Sequence, residues 1–64
     1  MIADRIRQAR LAAGLTLGAL GEQVGVSHTA IQKYEKGLLT PSSTQLLKLA
    51  RACGIRTEYF FRTH

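Results

Sequence analysis

A chain of 64 residues has room for one domain and one small core, and at this size folding buries only about 60% of the surface the unfolded chain exposes. Nine Lys and Arg against four acidic residues give a formal charge of +5, which favours a polyanionic partner without establishing one. Cys53 is the single cysteine, which excludes an intrachain disulfide; Cys53, His28 and His64 lack zinc-ligand spacing, so neither metal nor cofactor is implied, and no apolar run approaches the roughly 18 residues of a membrane span.

The first helix is expected over Ile2 to Ala13. Ile2, Ile6, Ala9 and Ala13 recur at helical spacing and form one narrow apolar stripe. Arg5 and Arg7 leave that stripe, whereas Arg10 stays on it. Gly14 is placed to end the helix, Leu15 to turn inward and Thr16 to cap the next helix. The second helix is expected over Leu17 to Val24, with Leu17, Leu20 and Val24 on its buried face. Its two glycines, Gly18 and Gly21, weaken it by up to about 1 kcal/mol each relative to alanine. Close approach of the following helix accounts for Gly21, and nothing in the sequence accounts for Gly18.

Gly25 suits a turn residue of positive φ. Val26 fills the gap behind the turn, and Ser27 caps a third helix over about His28 to Lys36. Ile31 and Tyr34 point inward there, Ala30 lies at their edge, and Gly37 closes the helix. A loop from Leu38 to Pro41 follows. Ser42, with Gln45 three residues on, reads as a capping box for a fourth helix that reaches about Cys53. Leu46, Leu49, Ala50 and Cys53 share its apolar face. Gly54 caps that helix, Ile55 tucks back, and Thr57 is expected to cap a last helix over Glu58 to Arg62 carrying Tyr59, Phe60 and Phe61. No strand signal, repeat or low-complexity segment appears. The expectation is an all-α, compact bundle of five short helices in a single domain over 1–64. Within it, residues of about 17–36 have the layout of a helix-turn-helix, the motif that lays its second helix in the DNA major groove.

Several short features stand in a fixed order: Ala9-Arg10, Gly14-Leu15-Thr16, Leu20-Gly21, Gly25-Val26-Ser27, and Ile31 followed by Tyr34-Glu35-Lys36-Gly37. Pro41, Leu46, Leu49-Ala50 and Gly54-Ile55 complete the series. In this order and at these intervals the chain resembles the lambda-repressor-like (Cro/XRE) family of helix-turn-helix DNA-binding domains, from Ile2 to Phe61. The resemblance implies a transcriptional regulator, most often a repressor, that binds a palindromic operator as a two-fold dimer. It implies an ion pair between Arg10 and Glu35 that locks the first helix against the third; two solvated charges are the alternative. It places the dimer contact after the fourth helix, where Ile55, Arg56, Tyr59, Phe60 and Phe61 lie; two of these aromatics could instead finish the core, and the surplus would serve a dimer patch or contact with a following domain. The chain departs from the family twice. Leu17 stands where many members carry a phosphate-clamping glutamine, and Leu38 and Leu39 stand in a loop that is often basic.

On the third helix, His28, Thr29, Gln32, Lys33 and Lys36 are left over from the core and share one exposed face. Recognition helices use their N-terminal residues on base edges, which puts His28 and Thr29 first and Gln32 one turn on. Gln32 can present both amide groups to the N6/N7 edge of adenine, and Thr29 its methyl to thymine. Lys33 could bond guanine or reach a phosphate, and Lys36 is assigned to the backbone. His28 could equally donate to a phosphate or be an exposed histidine with no task. Thr16, Thr40, Ser42 and Ser43 fit backbone contacts at helix starts; Thr16 and Ser42 could act as caps alone, or do both.

Too few acids, no nucleophile–base pairing and too little wall for a pocket argue against an enzyme. The stronger rival is a protein-interaction or antitoxin-like module that kept the fold and lost operator binding, with Leu38 and Leu39 meeting a protein partner. The chain could be a complete small regulator, since Met1 begins a helical pattern at once, or the DNA-binding fragment of a larger one. Without a signal peptide or membrane span, the expected place is the cytoplasm of a bacterium, or of one carrying a phage, on nucleoid DNA. The expected partner is double-stranded DNA bound by a homodimer.

Overall fold

Caps fix the starts of the second, third and fourth α-helices and the ends of all four. A computed structural model describes residues 2–61, with α1 at Ile2–Ala12, α2 at Leu17–Val24, α3 at His28–Lys36, α4 at Ser43–Cys53 and a 3-10 helix at Thr57–Phe61. The hydroxyls of Thr16, Ser27 and Ser42 accept the backbone N–H groups of Ala19, Ala30 and Gln45 at 3.0, 3.1 and 3.2 Å. Each takes up one of the amides that the first turn leaves without an intrahelical partner.

At the end of α1 the chain closes a Schellman turn: Leu15 N–H donates to Arg10 O at 3.1 Å and Gly14 N–H to Leu11 O at 3.0 Å. This turn corrects the expected boundary. The helix stops at Ala12, Ala13 is exposed rather than on the apolar stripe, and Leu15 packs against the core instead.

The fifth expected helix is also corrected. It is a 3-10 helix of five residues, held by an i to i+3 bond from Tyr59 N–H to Arg56 O at 3.1 Å, and Thr57 is its first residue rather than its cap. A segment this short makes too few bonds to nucleate an α-helix. Among the described residues the architecture is therefore four α-helices and a 3-10 turn; Arg62, where the last helix was expected to end, lies outside them. The capping box at α4 is half made. Ser42 caps the helix, but Gln45 Oε1 is buried with no hydrogen-bond partner among the described residues, so the return bond is missing.

The core gathers Ile6 and Ala9 of α1, Leu20 and Val24 of α2, Ile31 and Tyr34 of α3, Leu46, Leu49 and Ala50 of α4, and Phe60. Both α1 and α2 pack against α3; α4 packs against α1, α2 and the 3-10 helix. Cys53 is a half-buried edge residue, and burial pushes its thiol above the ordinary range, against the pull of Arg10. Pro41, read from sequence only as a loop residue, is buried.

Gly21 is buried where the chain doubles back. The group pressing on it is the turn itself: an added Cβ would lie 2.5 Å from Val26 O and 3.2 Å from Ser27 C and O. Gly18 is the opposite case, because a Cβ there would meet nothing within 4 Å, and nothing in the fold requires a glycine. Gly18→Ala is expected to raise stability by about 0.5–1 kcal/mol through lost chain entropy. An urea titration checks it: the midpoint should rise at unchanged slope, and a fall would reveal strain that these open surroundings do not contain.

Candidate nucleic-acid interface

The sequence between Leu20 and Ser27 builds a rigid corner. Gly25 adopts φ 79°, a left-handed conformation that favours glycine. The carbonyl of Gly21 accepts both the Gly25 N–H and, at 2.8 Å, the Val26 N–H. Ser27 then opens α3 at once. The inner side of α3 is anchored by Ile31 and Tyr34, both buried. Its outer side presents His28, Thr29, Gln32, Lys33 and Lys36, all exposed.

One ion pair ties α3 to the rest of the domain. Arg10 Nε donates to Glu35 Oε2 at 2.6 Å and Nη2 to Oε1 at 3.1 Å, while Nη1 donates to the carbonyl of Leu15 at 2.9 Å. The two side chains are 11% and 7% exposed, so solvated charges are not what the structure contains. The Glu35 hydrogen bond holds the Arg10 guanidinium above its already high ordinary range, and the desolvation that opposes it is the smaller influence. A single side chain thus joins α1, the connection into α2 and the last turn of α3.

Thr16 and Ser42 act as caps through their oxygens, which leaves each O–H free to donate outward. Thr40 and Ser43 are exposed. In the loop after α3, Leu38 is 73% exposed. Leu39 borders a shallow apolar groove that it shares with Ile2, Tyr34 and Pro41.

The residues grouped after α4 divide. Phe60 is 1% exposed and fills the core beside α1 and α4, which removes it from any interface. Tyr59 is half-buried: its ring stands edge-on to Phe60 at 6.0 Å, the Arg5 guanidinium lies 5.1 Å over it, and its hydroxyl donates to Gln8 Oε1 at 3.2 Å. Ile55 packs on the core. Arg56 and Phe61 remain exposed.

Sequence reasoning missed Arg7. It lines a cleft of about 340 Å³ with Arg10, Leu17, Gln32, Glu35 and Lys36, where α1, α2 and α3 meet. Helical spacing only placed it off the apolar stripe; the crossing of α1 over α3, which brings it beside Lys36, has no local signal. Among the described residues no three His, Cys, Asp or Glu come together to hold a metal, and His64 lies outside them. No described helix is long and apolar enough to cross a membrane.

A capped pair of helices on a glycine corner, with the second helix pinned inside and polar outside, defines a helix-turn-helix domain. The helix-turn-helix family HTH_3 matches residues 6–60. An uncharacterized transcriptional regulator in the ATPase CF(0) region of Rhodospirillum rubrum is 38% identical over 60 residues, which are 94% of this chain and 56% of that protein. The solution structure of the DNA-binding domain of the P22 C2 repressor superposes with a TM-score of 0.92 at 32% identity, covering 98% of this chain and 83% of that one. The crystal structure of SinR, the master regulator for biofilm formation, in complex with DNA gives 0.88 at 30% identity, covering 97% and 100%. The chain belongs to the Cro/C1-type (XRE) helix-turn-helix family. It spans about half the length of the curated relatives it matches.

Proposed function

We propose that this chain is the DNA-binding domain of a transcriptional regulator, a repressor by preference, that reads double-stranded DNA with α3 in the major groove. The observation that carries this is the outer face of α3, polar along its length and cationic in its last turn, on a helix pinned from behind by Ile31, Tyr34 and the Arg10–Glu35 pair. His28 and Thr29 lead on base edges, with Gln32 and Lys33 behind them. Lys36 and the hydroxyls of Thr16, Thr40, Ser42 and Ser43 take backbone phosphates. SinR, solved on DNA, and the P22 C2 repressor support this reading by likeness. A half-site of a few base pairs is too short for genomic specificity, so the domain works as a homodimer on a palindrome. Arg56 and Phe61, flanked by Ile55 and Tyr59, supply the free surface for it. A bacterial or phage operator puts the protein in the cytoplasm, on nucleoid DNA.

One observation favours a second reading. The exposed Leu38–Leu39 loop suits contact with another protein, as an interaction or antitoxin-like module would make. Selection from random duplex DNA at near-physiological salt separates the two. A palindrome with half-sites about one helical turn apart is the expected result. A lone half-site would remove the homodimer, and no enrichment by folded protein would overturn the DNA-binding reading. In the same assay Gln32→Ala should cost about 1–3 kcal/mol and relax one base position; equal loss on every sequence would move Gln32 to the backbone class.

A further inference from the structure

We infer that the shallow groove between the end of α2 and the outer face of α4 docks an acidic helix of a partner protein, with Lys48 and Arg51 receiving its carboxylates and Leu47 its apolar side. The inference lies beyond DNA binding and rests on that reading only for which face a duplex occupies.

The groove has a volume of about 260 Å³ and is lined by Gln23 of α2 and by Lys48, Arg51 and Ala52 of α4. Lys48 and Arg51 stand three residues apart, so their side chains rise from successive turns of one helix face. Both are exposed, and neither has an ion-pair partner among the described residues. The nearest acid in sequence to the α2 side, Glu22, is exposed and pairs with neither cation, while Glu35 is held by Arg10. Leu47 edges the same face: it precedes Lys48, stands one turn before Arg51 and is 43% exposed. Two free cations beside an exposed leucine complement a helix that carries two carboxylates one turn apart and an apolar residue next to them. A free inorganic anion would use the cations and leave Leu47 and Ala52 without a role.

Placement separates this surface from the one given to DNA. Both α2 and α4 start at hydroxyls assigned to backbone phosphates, those of Thr16 and Ser42, and the groove lies toward their far ends. Gln23 is about 10 Å beyond Thr16 and Arg51 about 13 Å beyond Ser42 along the helix axes. No residue from the outer face of α3 lines the groove, and neither Leu38 nor Leu39 does. A stacked base would need an aromatic platform, and the described lining holds none. The groove therefore stays open while α3 lies in the major groove, and the partner binds the domain on its DNA.

The test is an NMR titration of the isotope-labelled domain with a synthetic peptide of glutamate and leucine at helical spacing, and with the same peptide carrying glutamine for glutamate. The glutamate peptide should shift the signals of Gln23, Leu47, Lys48 and Arg51 and their neighbours, and the glutamine peptide should shift none. Lys48→Glu should weaken the glutamate peptide by about tenfold and Leu47→Ala by about threefold. Lys33→Glu, an equal change of charge on the outer face of α3, should weaken it by less than about twofold. All three positions are exposed, so the variants leave the core intact. If Lys33→Glu acts like Lys48→Glu, or if Leu47→Ala changes nothing, the peptide follows net charge and the docking groove is overturned. A mixed-sequence duplex should then bind without displacing the peptide; displacement would put the peptide on the DNA face and overturn the groove as well. A duplex that does not bind at all overturns the DNA-binding reading instead, and the shifts and variants still decide the groove.

Discussion

Arg10→Ala is expected to lose about 3–5 kcal/mol of folding stability. A domain of 64 residues holds about 3–10 kcal/mol in all, so this substitution leaves the chain largely unfolded at ordinary temperature. The loss is large because of what stays behind. Glu35, 7% exposed in the intact pair, would keep its charge and lose its partner, and Leu15 O would lose its 2.9 Å donor. An orphaned buried charge costs far more than a surface pair contributes. Thermal unfolding followed by circular dichroism checks it, with a fall in midpoint of more than about 10 °C expected. A second variant separates charge from shape. Arg10→Met combined with Glu35→Leu leaves no orphan, and should recover most of the lost stability. If Arg10→Ala melted within a degree or two of wild type, the pair would be screened in solution and α3 would be held by its apolar face alone.

That double variant also distinguishes stability from orientation. Restored melting with DNA binding still weak would mean that the fork between Arg10 and Glu35 sets the angle of α3. Two parallel N–H···O bonds fix direction as well as distance, and methionine against leucine does not. Raised by Glu35, the Arg10 guanidinium keeps its proton far into alkali. The sign follows: stability from a raised base is fully present below its unfolded value and is lost only above the folded one. Arg10 therefore brings no loss of stability as pH rises through the neutral range.

Much of this domain is legible from sequence because its signals are local. Thr16, Ser27 and Ser42 announce helix starts within three residues, and the glycines after α2, α3 and α4 announce their ends. The bounds of α2 and α3 follow from such signals alone. What sequence left out depends on where distant segments meet. Ala13 looked as good as Ile2 on a helical wheel, yet the Schellman turn carries Leu15 over the core in its place. Tyr59, Phe60 and Phe61 are three aromatics in a row, and only their docking against α1 and α4 sends Phe60 inward and leaves Phe61 exposed. Pro41 is buried for the same kind of reason, and Gln45 had the right spacing for a return bond that the folded geometry does not make. The candidate site divides in the same way. The outer face of α3 is periodic and can be read off; Arg7, brought to Lys36 by the crossing of two helices, cannot.

Gly21→Val is expected to cost about 3 kcal/mol or more, at the upper end of overpacking. The Cβ alone would stand 2.5 Å from Val26 O, well inside contact distance, and valine adds two methyl groups behind it. The obstacle is backbone, so no side-chain rotation relieves it. The turn cannot simply retreat, because the Gly21 carbonyl is itself the acceptor for Gly25 and Val26 N–H. Moving Val26 away from residue 21 breaks the bonds that make the corner, and Ser27, the cap of α3, moves with it. Gly21→Ala meets the same oxygen with less bulk. It should lose about 1–3 kcal/mol to the clash and regain up to about 1 through helix propensity. The order of midpoints is therefore Gly18→Ala above wild type, then Gly21→Ala, then Gly21→Val. Thermal melts of the three variants read that order directly. In Gly21→Val, whatever folds should bind DNA more weakly than its folded fraction accounts for, since a displaced corner tilts α3. A Gly21→Val protein that melts and binds like wild type would show that the turn yields freely, and that the corner does not fix the angle at which α3 is presented.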